Sequence, residues 1–141
     1  MVNRTLISTK LAELADRVAR VRACRTSTEA ELKGDRNAAE LVAFNLMLAV
    51  QICADIASHL IADEGWSVAR TIGEGFARLE EHQVIPSDVA VALRNAVGLR
   101  NVVAHGYAGV DLALLHLAAT RGVDDLDSFA RSIAGWVLKQ A

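Results

Sequence analysis

Arg100, Asn101, His105 and Tyr107 sit within eight positions of one another, and each brings a different chemistry. On a helical wheel at about 100° per residue, Val89, Leu93, Ala96, Val103 and Ala104 gather on one face with Arg100 in its middle. A guanidinium stays charged at any working pH, and burying it unpaired is costly. Arg100 therefore demands a carboxylate, a phosphate or an interface cleft. Asp55 is one acid that would make the pairing purely structural. Asn101 and His105 are four apart and share a face, with Arg94 near the same angle. There the amide would orient the imidazole by a hydrogen bond and leave it available for proton transfer. The plainer readings are a histidine that satisfies a helix end and, for Tyr107, an aromatic that closes it. Arg100 and His105 lie about 140° apart on an ideal helix, so one side chain does not readily meet the other. Two arrangements resolve this: a twofold dimer that uses the patch twice, or a helix that loosens before Gly106.

Helices must position these groups. Ile7, Leu11, Leu14, Val18 and Val21 form one apolar seam, which predicts a long amphipathic helix placed before Gly34. A second helix, apolar nearly all round from Leu41 onward, carries Gln51, Asp55 and His59 in one stripe and ends at Asp63-Glu64-Gly65. Thr71 and Glu74 make a candidate capping box for a short helix bearing Ile72, Phe76 and Leu79. Pro86 and Ser87 start a fourth helix, Asp88 to about Ala104, closed by a loop at Gly106 and Gly109. Asp111 caps a further helix through Thr120 with Gly122 as its stop, and a last helix runs from about Asp125 with Leu126, Phe129, Ile133, Trp136 and Val137 on one face. The fold class expected is all-α: an antiparallel bundle of about five to six helices in a single domain over 1–141, with no strand candidates and no repeats.

Composition narrows the function. Hydrophobic residues are 52% of the 141-residue chain, with one proline and nine glycines, so a packed core is expected and disorder is not. Fifteen basic and 17 acidic residues give a formal charge of −2, which excludes a global positive field; any RNA contact must be local, and no DNA binding is expected. Cys24 and Cys53 show no metal-ligand spacing and no disulfide framework, and no metal or cofactor is expected. The N-terminal segment lacks the apolar block of a secretory signal, and Asn45, Gln51, Asp55, Ser58 and His59 interrupt the apolar stretch from Leu41 to Ile61. A cytoplasmic protein with no membrane partner is the expectation.

The run Leu99-Arg100-Asn101-Val102-Val103-Ala104-His105-Gly106-Tyr107 resembles the HEPN signature of Arg, a polar residue, three more positions and His, in the HepT variant that adds Tyr two positions later. Gln51 to His59 looks like the second-helix segment of that family, and Phe76 to Leu79 before Val84-Ile85-Pro86 looks like its third-helix junction. The resemblance covers roughly residues 35 to 137. It implies a HEPN-like homodimer acting as a metal-independent endoribonuclease on RNA, the toxin of a type VII-like toxin–antitoxin pair. Arg100 and His105 would be catalytic, with Asn101 supporting them. A nucleotidyltransferase antitoxin of the MntA kind would silence the toxin by attaching adenylate to Tyr107. The alternative is a non-catalytic helical dimer that binds nucleotide, RNA or a nucleotidyltransferase. His59, His82 and His116 read as structural or solvent-facing, and Trp66 and Trp136 as packing residues.

Overall fold

The computed structural model describes residues 2–140, and within them every regular element is helical. The elements are α1 (Arg4–Cys24), α2 (Glu29–Lys33), α3 (Arg36–Glu64), α4 (Ile72–Glu81), α5 (Ser87–Ala104), α6 (Leu112–Leu117) and α7 (Val123–Leu138). A π-turn, Ala118–Gly122, joins α6 to α7 without a break, so the chain folds into six helical rods.

Capping side chains start most of them. Asn3, Thr28, Asp35, Thr71 and Asp111 each accept a hydrogen bond from a backbone N–H of the first turn, which satisfies donors that have no partner inside the helix. α3 stops at Gly65, whose φ of 68° is left-handed; Gly65 N donates to Ala62 O at 3.2 Å and Trp66 N to Ile61 O at 3.0 Å.

The continuous rod differs from the separate helices expected on either side of Gly122. Gly122 permits a break but does not compel one, and here it stays right-handed at φ −61°. Leu115, Ala119, Val123 and Leu126 are all buried, so ending the rod at Gly122 would take apolar surface out of the core. The stripe stays buried through the π-turn, and Arg25 Nη1 donates to the Ala119 carbonyl at 3.1 Å. The first helix is also shorter than the stretch up to Gly34. It leaves helical geometry at Arg25, where ψ is 155°, and Thr28 starts α2 afresh.

α3 is the axis of the bundle and packs against α1, α4, α5 and the C-terminal rod. Among the described residues it is the one helix long and apolar enough to cross a membrane, yet 61% of its most apolar window is buried inside the bundle, as befits a core helix. Its buried Asn45 is satisfied on both sides, donating to Leu41 O at 2.8 Å and accepting from Arg17 Nη1 at 3.1 Å. Phe76 of α4 and Phe129 of α7, both fully buried, meet edge to face at 5.9 Å and lock the outer rods to the core. Replacing Phe129 with alanine should lower unfolding free energy by about 3–5 kcal/mol in urea titrations. A loss below about 1 kcal/mol would contradict this packing.

Candidate active site at the end of α5

The C-terminus of α5 is shaped by the string Ala104-His105-Gly106-Tyr107. The helix stays regular to its end, with His105 N bonding Asn101 O at 3.1 Å. Gly106 then turns left-handed at φ 107°, and its N–H reaches Val103 O while Tyr107 N–H reaches Val102 O, at 3.1 and 3.3 Å. Only a residue without a Cβ takes that φ freely. The next residue, Tyr107, also has a positive φ of 72°, a conformation costing a non-glycine residue about 1–2 kcal/mol. Burial of its ring against the core cluster and the Val110 N–H to Tyr107 O bond at 3.2 Å hold it there.

Arg100 sits one turn back and is half-buried. Its Nη1 donates to Asn101 Oδ1 at 2.9 Å and its Nη2 to Gln51 Oε1 of α3 at 2.6 Å, while Nε is buried without a hydrogen-bond partner. Neither partner is charged. An ion pair between Arg100 and Asp55, the purely structural alternative, does not form. Asp55 instead accepts from Gln51 Nε2 at 3.2 Å and pairs with Lys10 of α1 at 3.6 Å. Asn101, expected to orient His105, has its side-chain oxygen taken by Arg100, because the neighbouring guanidinium offers a charge-assisted bond that an imidazole at the helix end does not. His105 is exposed at the C-cap, and among the described residues its imidazole has no hydrogen-bond partner. The structure thus joins Arg100 to Asn101, leaves His105 apart from both, and places Tyr107 just beyond the helix. Gln51 was visible in the sequence only as part of a polar stripe on the second helix; its contact with Arg100 spans 49 positions and joins α3 to α5.

Tyr107 also faces the start of α3. Burial raises its phenol above the ordinary tyrosine range, the Glu40 carboxylate adds to this, and the Arg36 guanidinium, itself bonded to Glu40 at 2.8 Å, partly offsets it. On the other side of α5 a groove of about 790 Å³ opens against the C-terminal rod, lined by Val91, Leu99, Val102, Val110, Leu114 and Leu117. Leu114 is 57% exposed and Leu117 49%, and Phe44 of α3 is 49% exposed. Among the described residues, no cluster of three or more His, Cys, Asp or Glu side chains is arranged to hold a metal ion.

This bundle is shared with a solved Shewanella oneidensis HEPN toxin, tri-AMPylated and in complex with its MNT antitoxin, at a TM-score of 0.85 and 22% identity, covering 96% of this chain and 99% of that one. The class is therefore the HEPN-type helical fold. In sequence, the chain is 24% identical over 99 residues to the mRNA nuclease HepT of Shewanella oneidensis, covering 70% of this chain and 74% of the relative. It is 35% identical over 85 residues to a candidate RNase of Archaeoglobus fulgidus, spanning 60% of this chain and 63% of that protein. The ribonuclease HepT-like family model matches residues 11–133, and the chain belongs to that family.

Since Tyr107 is the sole tyrosine, its ionisation is directly readable by ultraviolet absorbance. The folded state favours the neutral phenol. Its contribution to stability is full below the free-tyrosine range and is lost as pH rises through the raised folded value. The phenolate band should appear at higher pH in folded protein than in urea-unfolded protein; coincident curves would contradict this placement of the ring.

Proposed function

We propose that the chain is the toxin of a type VII-like toxin–antitoxin pair: a metal-independent endoribonuclease, active as a homodimer, silenced when a nucleotidyltransferase antitoxin adenylylates Tyr107. The observation that carries this reading is Arg100, a half-buried guanidinium held by two neutral amide oxygens inside the family's motif. Its positive charge has direction but no counter-charge in contact, which suits it to a phosphodiester.

In this reading the RNA 2'-hydroxyl attacks the adjacent phosphorus, a base accepts its proton, and the 5'-oxygen leaves with a proton from an acid. An imidazole can both accept and donate a proton, and His105 is exposed and unpartnered at the helix end. Arg100 stabilises the charge that builds on the phosphorane oxygens. Because α5 stays helical through Ala104, the loosened-helix arrangement loses its support, and a composite site is favoured: Arg100 of one protomer beside His105 of its partner. The exposed apolar residues Leu114, Leu117 and Phe44 give a second copy something to cover. An adenylate on Tyr107 would place an anion two residues from His105, blocking the cleft and competing with RNA phosphate for Arg100. Relatives support the pairing with RNA and antitoxin through the mRNA nuclease of Shewanella oneidensis and the AMPylated toxin solved with its antitoxin.

Purified protein should cut RNA in the presence of a chelator. Arg100→Ala and His105→Ala should each lower the rate at least about a hundredfold without unfolding the protein. If neither wild type nor variants cut, the non-catalytic binding module is the better reading. Tyr107→Phe should keep cutting but take up no adenylate when mixed with a nucleotidyltransferase antitoxin and ATP. Adenylate on another residue of that variant would refute the assignment of Tyr107.

A further inference from the structure

We infer that Gln51 is a positioning residue for Arg100, and that Asp55 and Lys10 fix its orientation, so that the guanidinium is aimed without being neutralised. The inference rests on the nuclease reading above. Three helices supply one chain of contacts: Arg100 Nη2 on α5 to Gln51 Oε1 on α3 at 2.6 Å, Gln51 Nε2 to Asp55 Oδ1 one turn along at 3.2 Å, and Asp55 Oδ2 to Lys10 Nζ on α1 at 3.6 Å.

The order of these groups carries the argument. A guanidinium only donates and a carboxylate only accepts, so an amide between them has one satisfying orientation, oxygen toward Arg100 and nitrogen toward Asp55. Asp55 thereby sets which end of Gln51 the arginine sees. A part-buried arginine with a purely structural task is best served by a carboxylate in direct contact, because the opposite charge offsets desolvation. Here the carboxylate is held one residue further back, and its own charge is met by Lys10, which also lies 3.8 Å from Glu13. Asn101 repeats the pattern on the other side with a second neutral oxygen at 2.9 Å. Both contacts spend hydrogen-bonding directions and leave the formal charge intact for a phosphate.

A charge-exchange variant tests this. Gln51→Glu combined with Asp55→Asn keeps the net charge and permits a chain of hydrogen bonds through the same positions, with the 51–55 bond reversed, but brings the carboxylate into contact with Arg100. The thermal midpoint should match or exceed that of wild type and the oligomeric state should be unchanged, while kcat for RNA cleavage falls at least about tenfold and KM changes little. Asp55→Asn alone, at a side chain already 42% exposed, should fold and lower kcat by a smaller factor, because Gln51 is then free to turn. If the exchange variant folds and cleaves within about twofold of wild type, the inference is overturned. If the exchange variant does not fold, Asp55→Asn decides: an unchanged kcat overturns the inference. Should wild type itself cut no RNA, the nuclease reading falls, and the relay is judged separately by NMR of the Arg100 guanidinium. Its resonances should shift in the exchange variant, and unchanged resonances contradict the contact with residue 51.

Discussion

Everything at this site follows from holding one guanidinium inside a helical bundle without giving it a counter-ion. Arg100 lies on the inward side of α5, where desolvation works against charge, and it is tied to Gln51 and Asn101 through neutral oxygens alone. The bundle tolerates this because the side chain is only half-buried and because hydrogen bonds to a charged group are stronger than those between neutral partners. A carboxylate in Gln51's place would steady the fold more directly, and it would also occupy the charge that a phosphate requires. In the proposed reading the arrangement is a compromise between folding and function, placed where α5 packs against α3.

The same helix sets the second constraint. α5 is regular up to Ala104, so the imidazole of His105 is carried about 140° around the axis from Arg100 and remains on the surface. In the proposed reading, each protomer carries the phosphate-directed Arg100 and the proton-transferring His105 on different faces of α5. A twofold pairing of identical surfaces would unite the two groups with no change in the backbone of either protomer, and the apolar groove beside α5 gives such a pairing a surface to cover. Just past the helix, Gly106 and the strained Tyr107 turn the chain so that the phenol packs near Arg36 and Glu40. A group attached there would stand two residues from His105. In the proposed reading, catalysis and its control would both follow from how this one helix ends.

Much of this was legible in residue order. The apolar seam of α1, the near-uniform hydrophobicity of α3, the Gly65 stop and the caps at Thr71 and Asp111 are local signals, and each appears in the structure. So is the oddity of Arg100, an arginine amid apolar neighbours. What residue order did not reveal is tertiary. The partner of Arg100 is Gln51 and not Asp55, a difference of one helical turn decided by how α3 and α5 cross. Asn101 turns to Arg100 and away from His105, a choice between two neighbours that periodicity leaves open. Gly122 read as a stop because glycine usually permits one, but the buried stripe from Leu115 to Leu126 carries the helix through it as a π-turn. The break at Arg25 is the converse case, where weak helix formers end α1 earlier than the first glycine.

The composite site is tested most directly by complementation between two inactive chains. Arg100→Ala and His105→Ala, inactive alone, are mixed under conditions that let subunits exchange, and RNA cleavage is followed alongside the fraction of mixed dimer. A site built from both protomers leaves one intact Arg100 and His105 pair in each mixed dimer, so cleavage should return in proportion to that fraction. Mixed dimers that form yet cut no RNA, from parent chains whose wild type does, would show that each protomer works alone and would contradict the account.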